Sequence, residues 1–179
     1  LLKKLTKKTW ESEEIPKMLS GSLVGGILQM LIKICGVKNI LEIGMFTGYS
    51  ALKMTEVLPE NGRIDSCELM QNHIVTASKW FHESEVGHKI TIHEGKAMKS
   101  LEKFKNNSFD MMFVDADKIN YPNYHNKGFQ LLKSGGIGVF DNMLWSGSVL
   151  EPCDDNSKAL RETAELIKNN DRLEPLLLP

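Results

Sequence analysis

Residues 39–50, "NILEIGMFTGYS", hold the change of pattern that decides the architecture. Ile40, Leu41 and Ile43 form a short apolar run interrupted only by Glu42, and the run closes on Gly44. A run of this length bounded by glycine reads as a buried strand over 39–44. Gly48 then opens "YSALKMTEVL" (49–58), a helical segment that stops at "PENG" (59–62). Strand, glycine turn and helix in that order are the first half of a βαβ unit.

The same order recurs along the chain. "RIDSCEL" (63–69) reads as a strand and "NHIVTASKWFHESE" (72–85) as a helix that ends near Gly87. "KITIHEG" (89–95) alternates like a strand, and "AMKSLEKFK" (97–105) is a short helix closed by "NNS". "FDMMFVDA" (109–116) is a fourth strand, followed by a helix over 123–132, a turn at "KSGG" (133–136) and a fifth strand at 137–142. A last helix covers 157–170. Upstream, "SGSLVGGILQMLIKICG" (20–36) reads as a helix with Ser20 as N-cap and Gly36 as its stop. It is apolar almost all round, which predicts a well-buried helix. Strand and helix alternate five times, so the expected class is α/β: a mostly parallel, doubly wound sheet with helices on both faces.

A chain of 179 residues suffices for one domain with a core. Hydrophobic content of 41% and charged content of 25% are ordinary for a globular protein. The net charge of −1 gives no reason to expect a nucleic-acid partner. Cys35, Cys67 and Cys153 are odd in number and far apart, which points to a reducing compartment, the cytoplasm. No apolar run is expected to reach bilayer length, so no membrane partner is expected. The basic start, "LLKKLTKK", lacks the apolar core of a signal peptide. Residues 1–17 are therefore set apart as a basic N-terminal segment, ahead of a domain over 18–179.

Parallel sheets of this kind bind ligands at the carboxyl ends of their strands. Four of these ends supply candidates, and each carries an acid: Glu42 before Gly44, Glu68, Asp115 with Asp117 and Lys118, and Asp141 with Asn142. Gly44 and Gly48 let the first turn approach a ligand closely, but G-x-x-x-G is not the G-x-G-x-x-G of dinucleotide sites. A cofactor without a pyrophosphate is favoured. An acid at the end of strand two can take both ribose hydroxyls of an adenosine, so Glu68 is either a ribose ligand or a solvated carboxylate. Lys118 is either an ion-pair partner of Asp115 or Asp117, or part of a metal site with Asp141 and Asn142. His73, His82, His88, His93 and His125 lack metal-ligand spacing and read as surface or structural groups. Trp80 and Phe81 read as packing, and Trp145 either walls a site or packs.

"LEIGMFTGYSAL", "LPENGRI", "FVDADKINY" and "DNMLWSG", in this order, resemble the small cation-dependent O-methyltransferases of the caffeoyl-CoA O-methyltransferase group. Catechol O-methyltransferase is a more distant relative. Residues 18–52 are most similar to a bacterial branch acting on small cyclic substrates, the 4-deoxygadusol type. The resemblance implies a Rossmann-like class I methyltransferase fold, S-adenosylmethionine as cofactor and a homodimer. It implies cofactor contacts at Met18, Ser20, Glu42, Gly44, Met45, Gly48, Ser50, Glu68, Ala97 and Asp115, and metal ligands at Asp115, Asp141 and Asn142. Lys118 matches the general base, with Asp115 beside it. Two carboxylates and an amide oxygen suit a hard cation, Mg²⁺ first, then Ca²⁺ or Mn²⁺. A free lysine, with a pKa of about 10.4, is a poor base at neutral pH, and a nearby cation favours its neutral form. The implied acceptor is a small hydroxylated molecule with two adjacent oxygens.

The chain departs from the group at Val24-Gly25-Gly26, where relatives carry an acid and a glutamine, and at Met70, where they carry an acid or amide. Ser146 replaces an asparagine of the plant enzymes, and no support for a CoA-ester substrate is present. Relatives continue beyond "RLEPLLLP" with a hairpin that completes the sheet, so a sheet lacking that hairpin is expected. The rivals are a non-catalytic S-adenosylmethionine-binding protein of the same fold and a nicotinamide dehydrogenase, the latter disfavoured by the glycine spacing.

Overall fold

The computed structural model describes residues 1–178; Pro179, at the end of the expected 18–179 domain, lies outside them. Five strands form one sheet: β1 (Asn39–Ile43), β2 (Arg63–Glu68), β3 (Ile90–Glu94), β4 (Phe109–Val114) and β5 (Leu132–Phe140). Their order is β3-β2-β1-β4-β5, and every pair is parallel. The order reverses between β1 and β4, so the switch point lies at the carboxyl ends of these two strands.

Alternation along the strands divides the core. Ile40 of β1 with Met111 and Phe113 of β4 faces α2 (Gly21–Cys35) and α3 (Tyr49–Thr55), through Leu28, Ile32 and Met54. Leu41 and Ile43, with Met112 and Val114, face the other way, onto α5 (Ala97–Leu101), α6 (Tyr121–Leu131) and α7 (Asp155–Lys168). A third cluster joins α1 (Leu2–Ser12), α3 and α4 (Gln71–His82) through Leu5, Tyr49, Leu52, Ala77 and Phe81. Within α1, Leu5 and Thr9 form the buried face, and Thr9 Oγ1 lies 2.9 Å from Thr47 Oγ1 in the first strand–helix turn.

Several expectations change. "KSGG" is not a free turn: Leu132–Phe140 is one strand. Its register jumps, with Phe109 opposite Leu132 but Met111 opposite Ile137. The extra residues form a bulge, and Gly135 at φ 76° gives it the left-handed step it needs. Helix α2 is not buried all round. Gly25, Leu28 and Ile32 face the core, whereas Leu23 and Ile34 are about three-quarters exposed. Ser20 does not cap α2, because its own backbone is already helical. Gly36 does end it, in the left-handed region. Pro16–Cys35, counted through the break at 19–20, is 20 residues of mean hydropathy 1.6, so one run does meet the length and composition of a bilayer span. The continuous helix within it has 15 residues, about 22 Å, and lays Leu28 and Ile32 against the sheet. Helix α6 starts two residues early, with Pro122 in its first turn, where a missing N–H costs nothing. Helix α7 begins at Asp155, set by a reciprocal capping box between Asp154 and Ser157. No strand follows β5 among the described residues, and β5 pairs only with β4.

Candidate active site

Each of the strand ends at the switch point is pinned by one more ladder hydrogen bond. Gly44 N–H donates to Cys67 O at 3.0 Å, Asp115 N–H to Ile43 O at 2.9 Å, and Asp141 N–H to Val114 O at 3.0 Å. The sheet itself therefore sets the position of the acids.

The first turn folds around Glu68. Its Oε2 accepts the Met45 and Phe46 N–H groups at 3.1 and 2.8 Å, and its Oε1 those of Leu69 and Met70, both at 2.9 Å. Gly44 and Gly48 have φ of 93° and 89°, and Phe46, at 51°, is a non-glycine residue in the same left-handed region. Glu68 is thus neither a solvated carboxylate nor a free one; it organises the loop and is 8% exposed. Gly95 N–H donates to the Glu68 carbonyl at 2.8 Å, which places Ala97, the first residue of α5, beside the same strand end.

Glu42 is fully buried beside Ser50 and Ser66, and the Ser66 hydroxyl donates to its Oε2. Burial pushes its carboxyl up to about 7, against the pull of the two serines. Its Oε1 has no hydrogen-bond partner, a buried polar atom left over at the base of the glycine turn. Met45 is buried, whereas Met18, ending a short 3₁₀ turn at Pro16–Met18, is half exposed.

A second group lies at the ends of β4 and β5. Lys118 Nζ donates to Asp115 Oδ1 at 3.0 Å and to the Tyr121 hydroxyl at 2.6 Å. Ser20 Oγ reaches Asp115 Oδ2 at 3.5 Å. Asp141 Oδ1 accepts the Asn142 N–H at 2.7 Å, and Asn142 has φ 61°. Burial, then the charge of Asp115, holds the Asp141 carboxyl above its usual range. Asp141 feels the charges of both Asp115 and Lys118, and the oxygen donors of the two carboxylates are of the kind a hard cation takes. The Lys118 ion pair runs to Asp115, not to Asp117. Asp117 accepts instead from the Tyr124 hydroxyl at 2.6 Å and from Asn120. The Trp145 ring centroid lies 5.9 Å from Lys118 Nζ.

Three contributors escaped the sequence pattern. Tyr121 is wholly buried, and its hydroxyl lies 3.1 Å from both Val114 O and Asp141 O. Its spacing of three from Lys118 in "DKINY" was the available signal. His73 sits between Glu68 Oε1 and Glu13 Oε2, 3.5 Å from each, with its ring edge-on to Phe46. Thr47 ties the first turn to α1. His73 lies in no motif, and Thr47, although inside "LEIGMFTGYSAL", has no chemistry that singles it out.

The O-methyltransferase family profile matches residues 1–179. The chain belongs to this family. It is 38% identical over 177 residues to an Arabidopsis thaliana protein of the caffeoyl-CoA O-methyltransferase type, a match covering 97% of this chain and 76% of the relative. It is 42% identical over 135 residues to caffeoyl-CoA O-methyltransferase 2 of Zea mays, covering 73% of this chain and 51% of that one. The chain thus spans about half the length of that relative. Among solved structures, the O-methyltransferase TomG of Streptomyces achromogenes, in complex with SAM, superposes with a TM-score of 0.88 at 28% identity, covering 95% of this chain and 78% of that one. The Rossmann-like methyltransferase architecture of this O-methyltransferase family member is therefore shared with a cofactor-bound relative.

Proposed function

We propose that this family member transfers a methyl group from S-adenosylmethionine to one hydroxyl of a small acceptor with two adjacent oxygens, held by a divalent cation. The observation that carries the reading is the meeting of Asp115, Lys118, Asp141 and Asn142 at the ends of β4 and β5, next to the glycine turn organised by Glu68. Glu68 would take the cofactor ribose, and Gly44, Met45, Gly48 and Ser50 would line the turn. The unpartnered Oε1 of Glu42 supports a polar ligand group there. Ala97 would border the adenine, and Met18 and Ser20 the methionine end.

Asp115, Asp141 and Asn142 would hold the cation, Mg²⁺ by preference. When bound, such a cation lowers the pKa of a nearby hydroxyl and fixes two adjacent oxygens at once. Lys118 Nζ takes the hydroxyl proton. As the oxygen–carbon bond forms, the carbon–sulfur bond breaks and its electron pair returns to sulfur. Orienting the two reactants in advance is worth roughly 7–11 kcal/mol. The favoured acceptors are ortho-dihydroxy rings or cyclic enediols, in the cytoplasm, with no nucleic-acid or membrane partner. Labelled-methyl transfer to a catechol and to its mono-hydroxy analogue, with and without EDTA, tests the reading. Turnover of the catechol alone, lost in EDTA, is expected. Equal rates for both acceptors, or full activity in EDTA, would defeat it, and no transfer to any acceptor would favour a non-catalytic cofactor-binding protein.

The exposed face of α2 supports a homodimer. Exposed Leu23, Met30 and Ile34, with half-buried Ile27 in the same stripe, are spaced by four, three and four, the seam spacing of self-packing helices. Light scattering at micromolar concentration should give twice the chain mass, and Ile34→Asp should halve it. A wild-type monomer would defeat this assignment.

A further inference from the structure

We propose that Tyr121 is a positioning residue that aims the Lys118 amine at the acceptor oxygen, an inference that rests on the O-methyltransferase reading above. Lys118 is buried, with its side chain 8% exposed, so its aim is set by what it touches. Two acceptors hold Nζ: Asp115 Oδ1 at 3.0 Å and the Tyr121 hydroxyl at 2.6 Å. Two hydrogen bonds from one nitrogen, to acceptors on different residues, fix the direction of its remaining position, the one left to face the acceptor oxygen. Asp115 alone would leave the amine free to swing about the single bond it makes. The Tyr121 ring adds a wall, with its centroid 4.7 Å from Nζ.

The hydroxyl is itself held from the far side. It lies 3.1 Å from the carbonyls of Val114 and Asp141, the last residue of β4 and the first beyond β5. Its single proton goes to these carbonyls while its lone pairs face Lys118. The ring is fixed against Tyr124 and Phe140, at centroid distances of 6.4 and 5.9 Å. One buried phenol thus registers the base to the two strand ends that carry Asp115 and Asp141. The chain does this in one turn: Lys118–Asn120 is a 3₁₀ turn, and Tyr121 opens α6 directly after it.

Tyr121→Phe removes the hydroxyl and keeps the ring. The kcat for a catechol acceptor should fall at least tenfold while KM for S-adenosylmethionine stays within twofold. In a Lys118→Ala background the same change should cost less than twofold, because there is no amine left to aim. Acetic anhydride labelling read by mass spectrometry should show Lys118 acetylated at least threefold faster in Tyr121→Phe than in wild type. This last readout needs no turnover. If the wild type methylates nothing, the O-methyltransferase reading fails while the labelling still decides the role of Tyr121. Wild-type kcat in Tyr121→Phe, losses that multiply in the double variant, or unchanged Lys118 labelling would overturn the proposal.

Discussion

Gly44 and Asp115 touch through their backbones: a Cβ on Gly44 would lie 2.1 Å from the Asp115 carbonyl oxygen. The glycine turn and the acid of β4 are therefore built at one point of contact. Gly44→Ala would need both a left-handed alanine at φ 93° and a separation of β1 from β4. A loss of about 3 kcal/mol or more is expected, from backbone strain plus overpacking. Urea denaturation checks it; a loss below about 1 kcal/mol would mean that the turn yields easily.

Glu68→Gln keeps the shape of the side chain but removes its charge and one of its two acceptor oxygens. Hydrogen bonds to charged groups contribute roughly 1.5–3 kcal/mol each. S-adenosylmethionine affinity, measured by calorimetry, should fall at least tenfold. Unchanged affinity would show that the carboxylate serves only the loop.

Glu42 makes apo stability depend on pH. Its folded pKa of about 7 lies above its ordinary value of 4.5, so the folded state favours the protonated carboxyl. The stability this gives is fully present below about 4.5 and is lost as pH rises through about 7. Roughly 2–3 kcal/mol should disappear across that window. Glu42→Gln should remove this slope, as read by urea midpoints at pH 4.5, 6 and 8. Parallel slopes in variant and wild type would exclude Glu42 as the source.

Asp141→Asn should abolish turnover yet stabilise the cation-free protein by about 1 kcal/mol at pH 7, since it removes a half-buried charge facing Asp115. Unfolding in EDTA tests the second half of this statement. A destabilised variant would show that the carboxylates are compatible without a cation.

The sheet was legible because strand and glycine alternate so regularly, and because a buried parallel strand has few other ways to read than "NILEI" or "FDMMFV". The strand-end acids were legible for the same reason: once β1, β2, β4 and β5 are placed, their carboxyl ends follow. The bulge at 133–136 was not, because "KSGG" has the chemistry of a free turn and only the register with β4 absorbs it into β5. The half-exposed α2 was not, because composition cannot tell a helix buried on all sides from one with an uncovered apolar face. Tyr121 and His73 were missed because their contacts are set by where elements cross, which no local spacing records.

The junction of α1 with the first turn has a consequence for motion. Thr9 meets Thr47, and Glu13, capping the end of α1, faces Glu68 across His73. Whatever steadies the turn and its acid must also steady the first thirteen residues, because coupling between two sites is reciprocal. Amide hydrogen exchange along α1 should therefore slow when S-adenosylmethionine is added, although no residue of α1 is expected to touch it. Exchange quickened by His73→Ala at Thr9 and Glu13, and no longer responsive to cofactor, would show the N-terminal helix acting as a gauge of whether the adjoining turn is filled.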